Sequence, residues 1–454
     1  MPSTVALINI NTCADPYPVY PLGMCHVPAA LRRAGHRVEL FDSNLDGEAV
    51  YGKVSAAAPD VIGLSMRNVD DVDIGSKTFY VPEVVETIRK IRESTNAPLV
   101  LGGSAYSLFP KPILERSGAD YGVRGEGETA MVALVDALER GAECRRIPGL
   151  VYRENGAVVA NDNSACAAGE IPRPWRPEEL VRSYLHTSAM LNVQTQRGCG
   201  FTCCYCTYPV LEGRHLRFRE PGEVVGEIEE ALSLGAHYLF FVDSVLNTSA
   251  DHVYRICEEI VRRELDVNWG CFLRPRGLTD DMFRLMKRAG LRHVEFGTDS
   301  FCDSVLECYG KAFAFEDVFQ SSQRARTHGV RHAHFLILGG PGENRDTLQE
   351  GFDNSRRLKR TVIFPYIGMR LYPGTPLYRT ALNEGVIESG VDLLEPRFYL
   401  SPDLDVQTVR TTVERFAHRS GMWIADGPSP EQIRIASNLR AKGVEGPLWE
   451  FLIQ

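Results

Sequence analysis

The sequence predicts an α/β protein built in two successive parts. A doubly wound, flavodoxin-like (Rossmann-like) sheet comes first, then a partial (β/α)6 TIM-like barrel with a small C-terminal helical region. Three observations carry this expectation. Over roughly the first 140 residues, short β-rich apolar runs alternate with amphipathic helical stretches, the rhythm of parallel strands joined by helical crossovers. The Pro-rich stretch "IPRPWRPEEL" then interrupts it with the composition of a linker. From Leu191 the alternation restarts and runs through six more strand-helix units. A chain of 454 residues is too long for one ordinary core, so both parts have room.

Taken in order, strands are expected at Val5-Ile10, Arg37-Phe41, Val61-Ser65, Leu99-Leu101 and Tyr121-Val123, with helices over Leu22-Ala34 and Val81-Arg92. Ligands of such sheets lie at the carboxyl ends of the strands, which singles out the loops "NTCADPYPVYPLG", "SMRNVD", "GGSAYS" and "RGEGE". In "IPGLVYRENGAVVAN" two β-rich runs flank Asn155-Gly156, a pair suited to a type I′ hairpin turn. The barrel strands are expected at Val193-Gln196, His237-Val242, Val267-Leu273, His293-Phe296, His334-Leu338 and Ile363-Leu371. Pro221 opens a helix whose Val224, Val225, Ile228, Ala231 and Leu232 repeat along one face before Gly235 stops it. Thr279 caps another, carrying Met282, Leu285 and Met286 up to Gly290. The domain boundaries that follow are 1–143, 144–190 for hairpin and linker, 191–385 for the barrel and 386–454 for the helical region.

The charge balance, 50 Lys and Arg against 59 Asp and Glu for a net −9, argues against nucleic acid or an anionic membrane surface as partner and favours a small-molecule substrate. "MPSTVALINI" has no basic region ahead of its apolar stretch, and no apolar run approaches the roughly 18 residues that cross a bilayer. A cytoplasmic protein is expected. There, clustered thiols bind metal or do redox chemistry more often than they form disulfides.

Four of the twelve cysteines fall within "RGCGFTCCYCTYP", residues 197–209. Cys199, Cys203 and Cys206 have the spacing C-x3-C-x2-C directly after the first barrel strand. A structural zinc would need four N or S ligands in a closed tetrahedron, the fourth from Cys204, His215 or a remote residue. Inert buried thiols are the second reading. The third is an iron-sulfur cluster, in which three thiolates on four irons leave one iron open to chemistry. Cys204 breaks the spacing and is expected to be a neighbouring buried thiol.

This spacing, with the aromatic Tyr205 just before the last cysteine, resembles the radical S-adenosylmethionine (SAM) superfamily. The resemblance implies a [4Fe-4S] cluster on Cys199, Cys203 and Cys206. Its open iron would chelate the amino and carboxylate groups of SAM, and an external one-electron reductant of flavodoxin or ferredoxin type would drive sulfonium cleavage. The later strand ends, "FFVDSVLN", "CFLRPRG", "EFGTDS", "LILGGPGE" and "RLYPGTPLY", place polar or Gly-rich residues at one rim. Tyr205, Asp243, Asn247, Arg274, Asp299, Ser300, Lys311, Gly339, Gly340, Glu343 and Tyr372 are the candidate cofactor-binding residues; no catalytic residue is assigned. Each has a plainer alternative. Asp243, Asn247, Asp299 and Ser300 could cap helices. Arg274 could pair with a surface carboxylate, Lys311 could be solvated and Tyr372 could pack. By the resemblance, "FGTDS" contacts ribose, Lys311 the methionine carboxylate, and "LILGGPGE" with Tyr372 the adenine.

The N-terminal stretches "YPLGMCHVPAALRRAGHRVELFD", "PDVIGLS", "LGGSAYS" and "ADYGVRGEGE" resemble the branch of that superfamily with a cobalamin-binding domain ahead of the barrel. The D-x-H-x-x-G string that supplies a cobalt-ligating histidine in many such domains is absent, and the nearby His26 is expected to pack or lie exposed. The resemblance makes cobalamin a candidate cofactor and implies methyl transfer to an unactivated centre of a small metabolite. Two alternatives stand beside it. One is a cobalamin-independent radical enzyme that rearranges its substrate or transfers a 3-amino-3-carboxypropyl group; the other is a zinc-stabilised binding module.

Overall fold

The computed structural model describes residues 2–13, 17–76, 78–163, 165–425 and 430–453, so residues 14–16 of the first candidate loop lie outside it. The chain divides into two compact units. One comprises residues 1–71, 77–184 and 207–213, the other 72–76, 185–206 and 214–454.

In the first unit, β1 (Thr4–Asn9), β2 (Arg37–Asp42), β3 (Val61–Ser65), β4 (Leu99–Gly102) and β5 (Tyr121–Val123) pair in parallel, in the order β2-β1-β3-β4-β5. That is the doubly wound order of flavodoxin-like sheets. β1 is central, so Val5 to Ile8 are buried on both faces, whereas edge strand β2 alternates with Arg37 and Glu39 exposed. Asn155 and Gly156, at φ 50° and 82°, turn β6 (Leu150–Glu154) into β7 (Ala157–Ala160), as the type I′ reading requires. β6 then pairs antiparallel with β5, so the hairpin extends the sheet to seven strands. The core gathers Val5, Leu31, Val100, Leu134 and Leu150 between sheet and helices.

In the second unit, β8 (Leu191–Val193) is followed by a short antiparallel pair, β9 (Gln196–Arg197) with β10 (Arg217–Phe218). β11 (Tyr238–Phe241), β12 (Asn268–Leu273), β13 (Leu291–Asp299), β14 (Arg331–Leu338) and β15 (Val362–Ile367) complete the parallel sheet β15-β14-β13-β12-β11-β8. This is the partial (β/α)6 barrel. Helices Pro221–Ser233 and Asp280–Arg288 start as the sequence reading places them, with Pro221 in the first turn and the Thr279 side chain accepting from Met282 N.

β13 and β14 run longer than expected, starting at Leu291 and Arg331 with β13 reaching Asp299, and two other strands differ for a local reason. The first leaves the sheet at Val193, because Thr195 N and Gln196 N donate to the Asp243 carboxylate instead of to a neighbouring strand. The sixth breaks at Gly368, whose φ of +76° ends β15 before β16 (Met369–Arg370) pairs with β17 (Phe398–Tyr399). Toward the C-terminus come helices Val406–Ser420 and Pro430–Ala441 and a 3-10 turn at Leu448–Leu452. Among the described residues, no helix is long and apolar enough to cross a membrane.

Candidate active site

The loop carrying Cys199, Cys203 and Cys206 leaves the first barrel strand at its carboxyl end, held from both sides. On one side Asp243, fully buried, accepts from Thr195 N, Thr195 Oγ1 and Gln196 N at 2.7–2.9 Å. His252 Nε2 adds a 3.1 Å bond to Thr195 Oγ1, and burial lowers its pKa to about 4, so the imidazole is neutral. On the other side Tyr309 O accepts from Cys204 N at 3.0 Å, and Cys204 O accepts from Leu377 N at 2.9 Å. Gly310 makes that approach feasible: its φ is +73°, and a Cβ there would stand 2.5 Å from Thr202 O.

Tyr205, Asp299 and Lys311 meet beside Cys203. Tyr205 donates to Asp299 Oδ2 at 2.5 Å, Lys311 donates to Tyr205 Oη at 3.4 Å, and Lys311 forms an ion pair with Asp299. Lys311 is close enough to Cys203 for a hydrogen bond, and its ammonium offsets part of the burial that raises the Cys203 thiol pKa. The Arg274 guanidinium lies 4.4 Å from the Phe201 ring centroid and 5.3 Å from that of Phe313, a stacking arrangement suited to a half-desolvated cation. Asn247 fixes it there, its amide bonded to Arg274 O and Arg276 O at 3.0 Å and accepting from Arg274 N at 2.9 Å.

A second group forms around Tyr309. Its hydroxyl donates to Ile337 O at 2.9 Å and accepts from Gly340 N at 3.0 Å. The Glu343 carboxylate accepts from Gly339 N, and burial pushes its pKa up to about 7. Tyr309 therefore links the Gly339–Glu343 segment to the cysteine loop. Tyr372 instead lies against Arg370, 5.0 Å from guanidinium carbon to ring centroid.

These contacts decide several alternatives. Helix Ala250–Arg262 is capped by Ser249, so neither Asp243 nor Asn247 is its cap. Ser300 does act locally, accepting from Cys302 N at 3.2 Å, while Asp299 holds Lys311. Lys311, with 8 % of its side chain exposed, is not solvated. Thr195, His252, Tyr309 and Gly310 escaped the sequence reading. Only "YGK", next to Lys311, carried a signal for two of them.

The donor set fits an iron-sulfur cluster. None of the twelve cysteines is in a disulfide. Tetrahedral zinc would bring its thiolate sulfurs to within about 4 Å of each other. Among the described residues, the group whose ligand atoms all lie within 4.8 Å of one another is Glu126, Glu128 and Cys166, not the cysteine loop. Three thiols beside the cations Lys311 and Arg274 suit an anionic cluster. In the first unit, the carboxyl ends of β4 and β5 run into glycines, Gly103 and Gly125, where the backbone passes so close to Met66 and Asn163 that a Cβ would stand 2.4 Å from Met66 O and 1.9 Å from Asn163 Nδ2. His26 is packed, 1 % exposed with Nδ1 2.8 Å from Pro172 O, so these residues fit cobalamin held without a protein imidazole on cobalt.

Fold and donor set define a radical enzyme with an added cofactor domain. Residues 193–353 match the Radical SAM superfamily model and residues 10–135 the B12 binding domain model. The chain thus carries a radical SAM domain and, ahead of it, a B12-binding domain. It is 26 % identical to the tryptophan 2-C-methyltransferase of Streptomyces laurentii, over 82 % of this chain and 73 % of that protein. It is also 26 % identical to an uncharacterised methyltransferase of Pyrococcus horikoshii, over 78 % and 77 %. The fold matches that of the radical SAM methyltransferase TsrM of Kitasatospora setae at TM-score 0.88, covering 100 % and 97 % of the two chains at 23 % identity.

Proposed function

We propose that this protein is a cobalamin-dependent radical SAM methyltransferase that methylates an unactivated centre of a small molecule in the cytoplasm. The observation that carries the reading is the pairing of a three-cysteine loop, braced by Asp243 and Tyr309 and flanked by Lys311 and Arg274, with a B12-binding domain on the same chain. The Streptomyces laurentii relative is a C-methyltransferase, and the Kitasatospora setae structure holds cobalamin and a [4Fe-4S] cluster.

On this reading residues 1–143 bind cobalamin and residues 191–385 bind the cluster and SAM, with hairpin and linker between and 386–454 behind. Cys199, Cys203 and Cys206 hold the cluster, and Lys311 and Arg274 balance its negative charge. Tyr205, Asp299 and Ser300 bound the methionine and ribose end, Gly339, Gly340, Glu343 and Tyr372 the adenine end, and Asp243 and Asn247 act by fixing backbone. When bound, the cluster supplies the electron that opens the SAM sulfonium, and cobalamin supplies the methyl group. The protein orients the reactants and keeps water out. A flavodoxin- or ferredoxin-type reductant feeds the cluster.

The test is product analysis of reconstituted enzyme. S-adenosylhomocysteine and 5′-deoxyadenosine are both expected, the former only when cobalamin is added. Full turnover without cobalamin, or 5′-methylthioadenosine as product, overturns the methyl-transfer reading.

A further inference from the structure

The antiparallel pair of β9 and β10 sets Arg197 opposite Arg217, so the chain approaching β10 runs back alongside the cysteine loop. Arg214 O lies 3.7 Å from where a Cβ on Gly200 would stand. The Arg214 side chain donates to Phe201 O at 3.4 Å, and the ring of the same phenylalanine carries the Arg274 guanidinium. Arg274 also lies over Phe313, and the neighbouring Ala312 O accepts from Arg276. Arg214, Arg274 and Arg276 therefore form one band across Phe201 and Phe313. Phe201 is two residues from both Cys199 and Cys203, and the band lies wholly within the second compact unit.

The band has little to offset its charge. Arg214 and Arg276 are exposed, and among the described residues both guanidiniums meet backbone carbonyls and no carboxylate. Acids nearby in the chain are committed elsewhere, Glu220 to Arg255 at 3.4 Å, Asp280 to His328 at 2.8 Å and Glu316 to Arg357 at 3.3 Å. Asp317, close enough to act on Arg274, is tied to Ala314 N at 3.0 Å. Arg276 meanwhile opposes the charge of Arg274. Other exposed arginines of this chain of net charge −9, such as Arg89, Arg182 and Arg284, hold carboxylates of their own. Like charges gathered without counter-charges cost free energy, and an acidic partner removes that cost.

We propose that this band is the docking surface for an acidic one-electron carrier protein, which delivers its electron there to the cluster held by Cys199, Cys203 and Cys206. This rests on the cluster reading above and adds where the reductant lands. One electron leaves the carrier and enters the cluster, and no bond is made or broken. Redox partners meet through small interfaces, so a few charges at the rim set the encounter rate. Nucleic acid, which is held through many phosphate contacts, asks for a longer track of cations than three arginines in an acidic chain.

The test uses the reconstituted holoenzyme and a flavodoxin as probe. Binding of dye-labelled flavodoxin is read by fluorescence anisotropy, and cluster reduction by reduced flavodoxin is read by stopped flow. In wild type both are expected to weaken at least about tenfold from about 0.05 to about 0.5 M salt. Arg214→Glu combined with Arg276→Glu is expected to lose at least about tenfold in both at low salt, together with the salt dependence. The same charge change at the exposed Arg140 and Arg434 is expected to leave both as in wild type. The amount of cluster reduced by excess dithionite needs no docking and is expected to be equal in all three proteins. Wild-type binding indifferent to salt, unchanged binding in the Arg214 and Arg276 variant, an equal loss in the Arg140 and Arg434 variant, or a labelled single-stranded RNA held more tightly than flavodoxin overturns the proposal. A wild-type protein that dithionite cannot reduce sinks the cluster reading, while the binding comparison still decides the docking surface.

Discussion

Lys311 holds its ammonium against the Asp299 carboxylate, with 8 % and 4 % of the two side chains exposed, beside the Cys203 thiol. Each charge is tolerable in so dry a place because the other is there. Lys311→Met leaves Asp299 charged, buried and opposed only by the Tyr205 hydroxyl. A loss of about 3–5 kcal/mol is expected, measured by anaerobic denaturant unfolding. A stability equal to wild type would show that the pair holds nothing.

Asp243 is the acceptor for two consecutive backbone amides and one hydroxyl. Replacing it with alanine orphans three buried donors, each worth roughly 1–3 kcal/mol. Hydrogen-deuterium exchange of the peptide spanning Thr195 and Gln196 should rise markedly in Asp243→Ala, and reconstituted iron should fall. Unaltered protection of that peptide would remove Asp243 from the account.

Gly310→Ala places a Cβ 2.5 Å from Thr202 O at a φ of +73°. The left-handed conformation alone costs about 1–2 kcal/mol, and the clash must push the cysteine loop or the Tyr309 turn aside. Lower stability together with lower iron content is expected. Iron retention at the wild-type level would mean the loop does not depend on this approach.

Glu343 sets a pH dependence. Burial raises its pKa from 4.5 to about 7, so the folded protein keeps a proton that the unfolded chain gives up. The stabilisation is fully present below pH 4.5 and is lost as pH rises through 7, about 3 kcal/mol in all. Unfolding free energies between pH 4.5 and 8 should show this decline in wild type and a flatter profile in Glu343→Gln. Parallel profiles would place the titration elsewhere.

Both sheets were legible in the sequence because strands buried on two faces read as continuous apolar runs, and Val61-Ser65 and Tyr121-Val123 match to the residue. The cysteine motif was legible because its spacing is local. What escaped depends on contacts between distant segments. Tyr309 joins Cys204 to Gly340, and Thr195 meets His252, through bonds that no periodicity foretells. The ends of β8 and β15 were misplaced for the same reason, since a carboxylate 48 residues away ends one and a turn at Gly368 the other.

Cys204 separates cluster chemistry from mere crowding of thiols. It is buried, 7 % exposed, with its pKa pushed up to about 12, the environment of a neutral thiol. Iron and acid-labile sulfide per chain, measured after anaerobic reconstitution of wild type, Cys203→Ala and Cys204→Ala, test the central claim most directly. Four irons are expected in wild type and in Cys204→Ala, and almost none in Cys203→Ala. Loss of iron in Cys204→Ala with retention in Cys203→Ala would contradict the account.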